Sequence, residues 1–217
     1  MNIQNVKFPK TLHLPWSKSV QNDDKIIKTL SYLEQCGEIV ITLKMDGENT
    51  AMMKNCTHAR SVDSKNHPSR NWIKSLHSQI KTELPDNYKF FGENLYATHS
   101  IKYDNLQSYF YLFHILKQEN NRLTFLSWNE VIEWASLLNL KTVTELYRGK
   151  WDRNKIGEII ENLDTSTNEG IVIRNSNEID FTTFDKYTAK WVRENHVQTD
   201  EHWMHKAILP NKLAETI

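Results

Sequence analysis

Apolar residues occur in short runs bounded by turn residues, a pattern that favours strands over long helices. Residues 39–43 form a β-branched run that predicts a buried strand, and Asp46 and Gly47 after it predict a tight turn. Residues 49–54 are then expected to return as the antiparallel partner of that strand. Lys44 is thereby placed at the edge between a strand and a turn, where the backbone holds a side chain firmly.

Aromatic or β-branched runs predict further strands along the rest of the chain. They are 88–96, 108–118, 123–126, 170–174, 179–183 and 187–193, with a turn at 119–121 between the second and the third.

Helical spacing of apolar residues predicts helices at 23–35, 68–84, 127–138 and 152–163. Asn22 or Asp23 would cap the first, and Ser127 with Glu130 forms a capping box for the third. Strands and helices do not alternate regularly. The pattern therefore predicts one α+β domain with antiparallel sheets flanked by helices.

The charge of the chain offers no general attraction to nucleic acid, because 27 basic residues balance 27 acidic ones. Local patches are the candidates for such contacts. One is 65–74, where Lys65, Arg70 and Lys74 accompany Trp72, and the other is the tail 186–212. A solvated surface is an equally good interpretation of the first patch.

The composition is that of an ordinary globular protein, and no apolar run is long enough to cross a membrane. The first residues lack the apolar core of a signal peptide. Cys36 and Cys56 are too few for a disulfide framework and are expected to be free thiols. A cytoplasmic location is predicted. The spacing of the histidines fits no common zinc template.

Lys44 by itself is more typical of a solvated turn residue than of a nucleophile. A nucleophilic lysine needs burial or nearby cations to favour its neutral form. Other apolar strands, however, also end in charged or aromatic residues. These segments are 59–61, 90–95, 110–115, 168–174 and 189–193.

In order, spacing and chemistry these segments resemble the successive motifs of the covalent nucleotidyltransferases, which include ATP-dependent RNA and DNA ligases and mRNA capping enzymes. The likeness is greatest to nick-sealing RNA ligases of the RNA ligase 2 type, and it extends from Ile39 to Arg193. It implies an ATP-grasp-like ligase adenylation domain over 1–217. Residues 194–217 would be a short tail, without an OB-fold or a separate helical domain.

The resemblance implies a role for each matching residue. Lys44 would be the nucleophile that forms lysyl-AMP, and Lys190 would contact the α-phosphate and help to keep Lys44 neutral. The residues implied in nucleotide binding are Leu43, Lys44, Met45, Asn49, Arg60, Glu93, Phe113, Glu169 and Lys190. Phe113 would stack on adenine, and Glu93 would bind the ribose. Arg60 would contact the ribose or the phosphates, and Asn49 would help to engage the reactive phosphate. Taken alone, Phe113 is more typical of a core residue.

Glu169 is the first candidate ligand for Mg²⁺ or Mn²⁺, followed by Asp46 and Glu93. Members of the superfamily commonly carry a second lysine two residues from the one that Lys190 matches. Here Lys186 or Arg193 would have to supply that second cation, unless it is absent.

The implied function is ATP-dependent RNA ligation in RNA repair, acting on RNA with 3'-hydroxyl and 5'-phosphate ends. An end-healing polynucleotide kinase is a candidate partner. Two alternatives stay open. One is a DNA ligase or a GTP-dependent capping-type enzyme, and the other is a catalytically inactive subunit that binds nucleotide or RNA.

Overall fold

The computed structural model describes residues 2–18, 20, 24–194 and 208–215. In chain order the strands are β1 (Leu12–His13), β2 (Ile39–Lys44), β3 (Glu48–Met53), β4 (Cys56–Ala59), β5 (Tyr88–Asn94), β6 (Phe110–Glu119), β7 (Arg122–Phe125), β8 (Lys141–Thr142), β9 (Glu145–Gly149), β10 (Gly170–Asn175), β11 (Ile179–Asp180) and β12 (Thr188–Val192). The helices are α1 (Ser31–Gln35), α2 (Asn71–Ile80), α3 (Trp128–Leu137), α4 (Arg153–Glu161) and α5 (Phe184–Tyr187).

Within these ranges the strands form two sheets. The first has the order β1-β12-β10-β2-β9, and the second has the order β11-β7-β6-β5-β3-β4, with β8 beside β6. The pairings are antiparallel except for β1 with β12 and β6 with β8. The predicted α+β fold with antiparallel sheets and flanking helices is confirmed.

Consecutive residues of the central strands pack into different apolar cores. Phe90 of β5 packs with residues of α2 and α3, whereas Phe91 packs with Phe125 and Phe184 on the other face. In β2, Val40 belongs to the first of these cores and Ile41 to a third, which includes residues of α4. Burial on both faces explains why these strands are continuous apolar runs without polar alternation.

The predicted hairpin after Lys44 is wrong. β3 pairs with β4 and β5 in the second sheet, because β10 and β9 already occupy both edges of β2. The chain therefore crosses from one sheet to the other at residues 45–47. Gly47 is needed at this crossing, since a Cβ there would lie 2.5 Å from the backbone oxygen of Asn94.

The predicted helix at 23–35 is mostly wrong, because among the described residues of that range only those of α1 are helical. The backbone before α1 bonds to β1 instead. His13 N–H donates to the Lys25 oxygen, and Ile27 N–H donates to the His13 oxygen, each at 2.8 Å. These bonds use groups that a helix would need. The expected caps at 22–23 lie outside the described residues.

Other predicted elements are confirmed, among them α2, α4 and the capping box of α3. Asn120 and Asn121 form the predicted turn between β6 and β7 with φ of 48° and 64°. The strand predicted at 179–183 ends at Asp180, whose side chain accepts the Thr182 N–H and begins a 3-10 helix. The sequence analysis missed β1, β8 and β9, whereas the strand end predicted at 59–61 corresponds to the end of β4. Cys36 and Cys56 are free thiols, and none of the described helices is long and apolar enough to span a membrane.

A buried lysine fastens the segment before β1 to the second sheet. Lys89 of β5 is fully buried. Its Nζ donates to the backbone oxygens of Ile3, Gln4 and Val6 at 3.2, 3.1 and 2.8 Å. Burial lowers the pKa of Lys89 to about 8. The three bonds fix residues 2–11, hereafter the N-terminal arm, whose Phe8 packs on Phe91 with ring centroids 5.1 Å apart.

We expect Lys89→Met to lower the free energy of unfolding by about 2–4 kcal/mol, because three carbonyl groups, two of them in buried residues, lose their donor. Thermal and urea unfolding would measure the loss, and hydrogen exchange should show faster exchange in the N-terminal arm. Lys54→Met is the matched control, because Lys54 is an exposed lysine that pairs with Asp86. Equal stability of the two variants would contradict an anchoring role for Lys89.

Residues 208–215 pack on the loop that follows β5. Asn211 is 1% exposed, and its side chain donates to the Leu95 oxygen at 2.8 Å and accepts the Tyr103 N–H at 2.9 Å. The Tyr103 hydroxyl in turn accepts the Asp46 N–H at 3.0 Å. The segment thus supports a loop that itself supports the crossing after Lys44.

Candidate active site

Neighbouring strands of the first sheet bring three charged side chains together. Lys44 ends β2, and its register partner Gly170 begins β10 directly after Glu169. Lys190 lies on β12, opposite Val172 of β10. The Lys44 Nζ is in direct contact with a carboxylate oxygen of Glu169, whose side chain is 7% exposed.

The second sheet contributes Glu93 and Asn49, which are register partners on β5 and β3. A Glu93 carboxylate oxygen accepts the Gly47 N–H at 3.1 Å, so the crossing of the chain fixes this carboxylate close to Lys44. Asn49 lines the neighbouring cavity, and its buried side-chain oxygen accepts no hydrogen bond from the described residues. It therefore offers an acceptor to a ligand.

Asp46 has a supporting position. One of its carboxylate oxygens accepts the Ser100 N–H, the Ser100 hydroxyl and the Ile101 N–H at 2.7, 2.8 and 2.7 Å. Asp46 is absent from the described residues that line the cavity. The carboxylate thus holds the crossing in place, and its metal contact stays a prediction.

The carboxylates determine the charge of Lys44. Burial alone lowers the pKa of Lys44, but the negative charges of Glu169, Glu93 and Asp46 outweigh burial and hold the pKa above its ordinary value. Burial raises the pKa of Glu93 to about 8 and also raises the pKa of Glu169, against the effect of the Lys44 charge. A neutral amine was expected, whereas the neighbouring carboxylates favour the ammonium form of Lys44.

A cavity of about 1130 Å³ opens beside Lys44 and is lined by residues of both sheets and of the N-terminal arm. Its lining contains the residues expected to bind nucleotide with the exception of Glu169: Leu43, Lys44, Met45, Asn49, Arg60, Glu93, Phe113 and Lys190. Glu169 is buried against Lys44. The expected residues therefore converge on one concave site.

The aromatic part of the cavity contains a charged residue that the sequence analysis missed. Arg174, 3% exposed, donates to the backbone oxygen of Phe113 and, at 3.1 Å, to the Thr42 hydroxyl. Its guanidinium lies 4.9 Å from the ring centroid of Trp128, and burial lowers the pKa of Arg174. Arg174 ends an apolar run just as Lys44 does, so a usable signal was present.

A second missed group lies around Asp24. The same Asp24 oxygen lies 3.8 Å from the Lys10 Nζ and 3.7 Å from the Lys190 Nζ. The other oxygen lies 3.2 Å from Nε2 of the buried His13. Lys10, Asp24 and Lys190 all line the cavity. The sequence offers no signal for this group, because the parallel pairing of β1 with β12 brings Lys10 and Lys190 together.

The residues expected to supply the second cation lie elsewhere. The Lys186 Nζ lies 5.0 Å from the ring centroid of Tyr32. The backbone N–H of Arg193 donates to the backbone oxygen of Glu169 at 3.0 Å. Neither is among the described residues that line the cavity.

Only part of the patch predicted at 65–74 faces the cavity, which is lined by Lys65 and Arg70. Arg70 forms an ion pair with Glu48, and Trp72 packs edge-on against Tyr109 at 5.4 Å. In the second patch, residues 195–207 lie outside the described ranges.

In the described parts of the chain, no group of three or more His, Cys, Asp or Glu side chains is placed to hold a metal ion. Glu169 and Glu93 nevertheless have the chemistry to bind a divalent cation, because the Glu93 carboxylate lines the cavity and the Glu169 carboxylate lies beside Lys44. Mg²⁺ prefers oxygen ligands and commonly uses only one or two carboxylates while it keeps several waters.

Solved structures with a similar fold include nucleic-acid ligases. A candidate ATP-dependent DNA ligase from Aquifex aeolicus matches with a TM-score of 0.54 and 18% identity over 86% of this chain and 49% of that chain. An archaeal ATP-dependent RNA ligase matches with a TM-score of 0.57 and 16% identity over 86% of this chain and 48% of that chain. A Naegleria gruberi RNA ligase with pyrophosphate matches with a TM-score of 0.56 and 16% identity over 91% of this chain and 62% of that chain. The chain thus spans less than two thirds of each of these structures. No curated protein sequence matches it.

The RNA ligase family matches residues 37–192, which is more than half of the chain. This range begins just before β2, ends with β12 and includes Lys44, Glu93, Phe113, Glu169 and Lys190. The chain therefore belongs to the RNA ligase family.

Proposed function

We propose that this protein is an ATP-dependent RNA ligase that joins a 3'-hydroxyl end to a 5'-phosphate end through a lysyl-AMP intermediate. The position of Lys44 carries the proposal. Lys44 ends a buried strand, its side chain contacts Glu169, and it lines a cavity that Glu93 and Phe113 also line. A rigidly held amine among groups suited to a nucleotide is what the first step of such a reaction needs.

In that step, the lone pair of the Lys44 amine forms a bond to the α-phosphorus of ATP. The bond from phosphorus to the bridging oxygen breaks, and its electron pair leaves with pyrophosphate. After the bond forms, the nitrogen releases one proton to the departing pyrophosphate, since a phosphoramidate keeps a single N–H. Before the attack, the ammonium must lose a first proton. Glu169 is in direct contact with Lys44 and has a raised pKa, so it can accept that proton. Lys190 offers positive charge to the α-phosphate oxygens.

The remaining cavity residues suit the rest of the nucleotide. Phe113 presents a half-buried ring to the cavity and is the candidate partner for stacking on adenine. Backbone groups at Leu43 and Met45 would read the base edge, and Glu93 would bind the ribose hydroxyls. Arg60 is exposed on the cavity wall and, like Asn49, would contact the phosphates or the ribose.

A divalent cation held by Glu169 and Glu93 would neutralise charge on the phosphates when it is bound. A Naegleria gruberi RNA ligase variant was solved with ATP and Mn, which supports Mg²⁺ or Mn²⁺ as the cation here. Asp46 stays the third proposed ligand, although its carboxylate already accepts the N–H groups of Ser100 and Ile101.

In the second step AMP passes from Lys44 to the 5'-phosphate of RNA, and in the third step the 3'-hydroxyl displaces AMP. The proposed role is RNA repair in the cytoplasm, where the free thiols of Cys36 and Cys56 would remain reduced. A polynucleotide kinase that prepares the two ends is the proposed partner.

The test is incubation of the protein with α-labelled ATP and magnesium, followed by denaturing electrophoresis and mass spectrometry of peptides. We expect a covalent label located on Lys44. Absence of label under conditions in which ATP binds would favour an inactive nucleotide-binding subunit and would overturn the proposed function.

The acceptor and the base need their own comparison, because the Aquifex aeolicus neighbour is described as a candidate DNA ligase. Nicked duplexes with RNA or DNA on each side of the nick would identify the acceptor. Competition of the labelling reaction by unlabelled GTP would identify a capping-type preference. We expect sealing of RNA ends and no competition by GTP.

A further inference from the structure

One carboxylate oxygen lies between two lysines at the edge of the first sheet. The Lys10 and Lys190 ammonium groups lie 3.8 and 3.7 Å from the same oxygen of Asp24. The Asp24 side chain is 10% exposed, and those of Lys10 and Lys190 are 33% and 16% exposed. Two positive charges are thus held close together, with one negative charge between them.

The backbone fixes this arrangement from both sides. Lys10 precedes β1, whose Leu12 and His13 pair in parallel with Ala189 and Lys190 of β12. Leu14 N–H also donates to the Lys190 oxygen at 2.7 Å. The three bonds from Lys89 fasten the beginning of the N-terminal arm. The arm is therefore held at both ends, so Lys10 is part of the cavity wall.

The electrostatics of the cluster fit an anion site. Burial lowers the pKa of Lys190, and the charges of Lys44 and Lys10 lower it further, whereas Asp24 and Glu169 raise it. Three mutually repelling ammonium groups at one cavity become stable together when an anion binds among them. A chain of phosphates carries several negative charges in a row and suits such a site.

We propose that Lys10 supplies the second cation for the phosphates of ATP and that Asp24 positions Lys10 and Lys190 for this task. The inference rests on the proposed function, since it assigns further residues to the same nucleotide site. Lys10 lines the cavity, whereas Lys186 lies over Tyr32 and Arg193 is not part of the lining. An element remote in sequence thus takes the place of a second lysine near Lys190.

The arrangement also assigns a role to His13. It is fully buried, its Nδ1 lies 2.9 Å from the Ser17 hydroxyl, and that hydroxyl accepts the Val192 N–H at 3.0 Å. These contacts connect Asp24 to the backbone of β12, on which Lys190 is carried. Asp24 is therefore a positioning residue that acts through the two lysines.

The experiment compares Lys10→Met, Lys10→Arg and Asp24→Asn with the wild type and with Lys7→Met. Lys7 is the matched control, because it is an exposed lysine of the same arm and lies outside the cavity lining. For Lys10→Met we expect kcat/KM of Lys44 adenylation to fall about 10- to 100-fold, since a charge-assisted contact to phosphate is lost. In the same variant, added pyrophosphate should inhibit adenylation about 10- to 100-fold more weakly than in the wild type. Lys10→Arg should recover most of the activity, and Lys7→Met should match the wild type.

Asp24→Asn keeps the shape of the side chain and removes the charge that holds the two lysines. We expect it to lower kcat while the KM for ATP changes less, because both cations remain available but are poorly placed. The Lys10→Met effect should shrink in the Asp24→Asn background. Additive losses would contradict a shared role. Thermal unfolding of each variant shows whether the fold is intact.

The design separates this inference from the proposed function. If the wild type forms the adduct and Lys10→Met labels as well as Lys7→Met, the inference is overturned and the ligase proposal stands. If the wild type forms no adduct, calorimetric titration of metal-free ATP and of inorganic tripolyphosphate decides. If Lys10→Met binds these two compounds at least about tenfold more weakly while Lys7→Met binds them like the wild type, the inference is supported. If Lys10→Met and Lys7→Met bind them equally well, the inference is overturned.

Discussion

Replacing Lys44 by alanine is expected to reduce covalent labelling by α-labelled ATP at least about 1,000-fold, because no other amine takes the place of a positioned nucleophile. Lys190 also lines the cavity, but it is carried on β12, the strand beyond β10, and its Nζ lies 3.7 Å from a carboxylate oxygen of Asp24. The labelled band on a denaturing gel is the measurement, and ATP binding by calorimetry should persist.

The same substitution also changes the charge of the site. Lys44 is the ammonium in contact with Glu169, and its charge lowers the pKa values of Glu169 and Glu93. In its absence both carboxylates should take up protons more readily, so thermal unfolding must accompany the labelling. Lys54→Ala is the matched control, since the Lys54 side chain is 40% exposed and pairs with the exposed Asp86. A label that persists in folded Lys44→Ala would refute Lys44 as the nucleophile.

Replacing Glu169 by glutamine is expected to slow adenylation about 100- to 1,000-fold, which is typical for loss of one preorganised charge at a reaction centre. The substitution keeps the size of the side chain and removes both the proton acceptor for Lys44 and the proposed metal ligand. Initial rates of labelling across a titration of Mg²⁺ and Mn²⁺ would measure it. The metal concentration for half-maximal rate should rise.

Glu178→Gln is the control for this variant. Glu169 directly precedes β10, whereas Glu178 follows the other end of β10 and is exposed. It should leave labelling and its metal dependence unchanged. Folding should be nearly intact in Glu169→Gln, since the amide can still bond to Lys44. A large fall in thermal stability, with labelling unchanged per folded molecule, would instead indicate that Glu169 serves the fold.

The resemblance to the covalent nucleotidyltransferases predicted the residues that line the cavity better than the apolar pattern predicted the path of the chain through it. Each of Lys44, Glu93 and Phe113 lies on or ends an apolar strand, a local pattern that the structure confirms as strand. The hairpin predicted after Lys44 failed because a tight turn does not reveal whether the neighbouring strand position is free. Here β9 and β10 occupy it.

Long-range pairing explains the remaining omissions. The helical spacing of Ile27 and Leu30 was real, but hydrogen bonds to His13 compete for the same backbone groups. Lys10 and Asp24 gain their importance only when β1 adds to β12. Arg174 differs, since it ends the apolar segment 168–174 in the same pattern as Lys44, so its sequence does carry a local signal.

The parallel pairing of β1 with β12 also bears on the order of folding. It joins Leu12 to Ala189, so the pair closes a loop that spans nearly the whole described chain. Contacts between residues so distant in sequence carry a high loop-closure entropy and tend to form after local hairpins such as β6 with β7. We therefore expect the ability to bind ATP to appear late in refolding, after most of the secondary structure has been recovered.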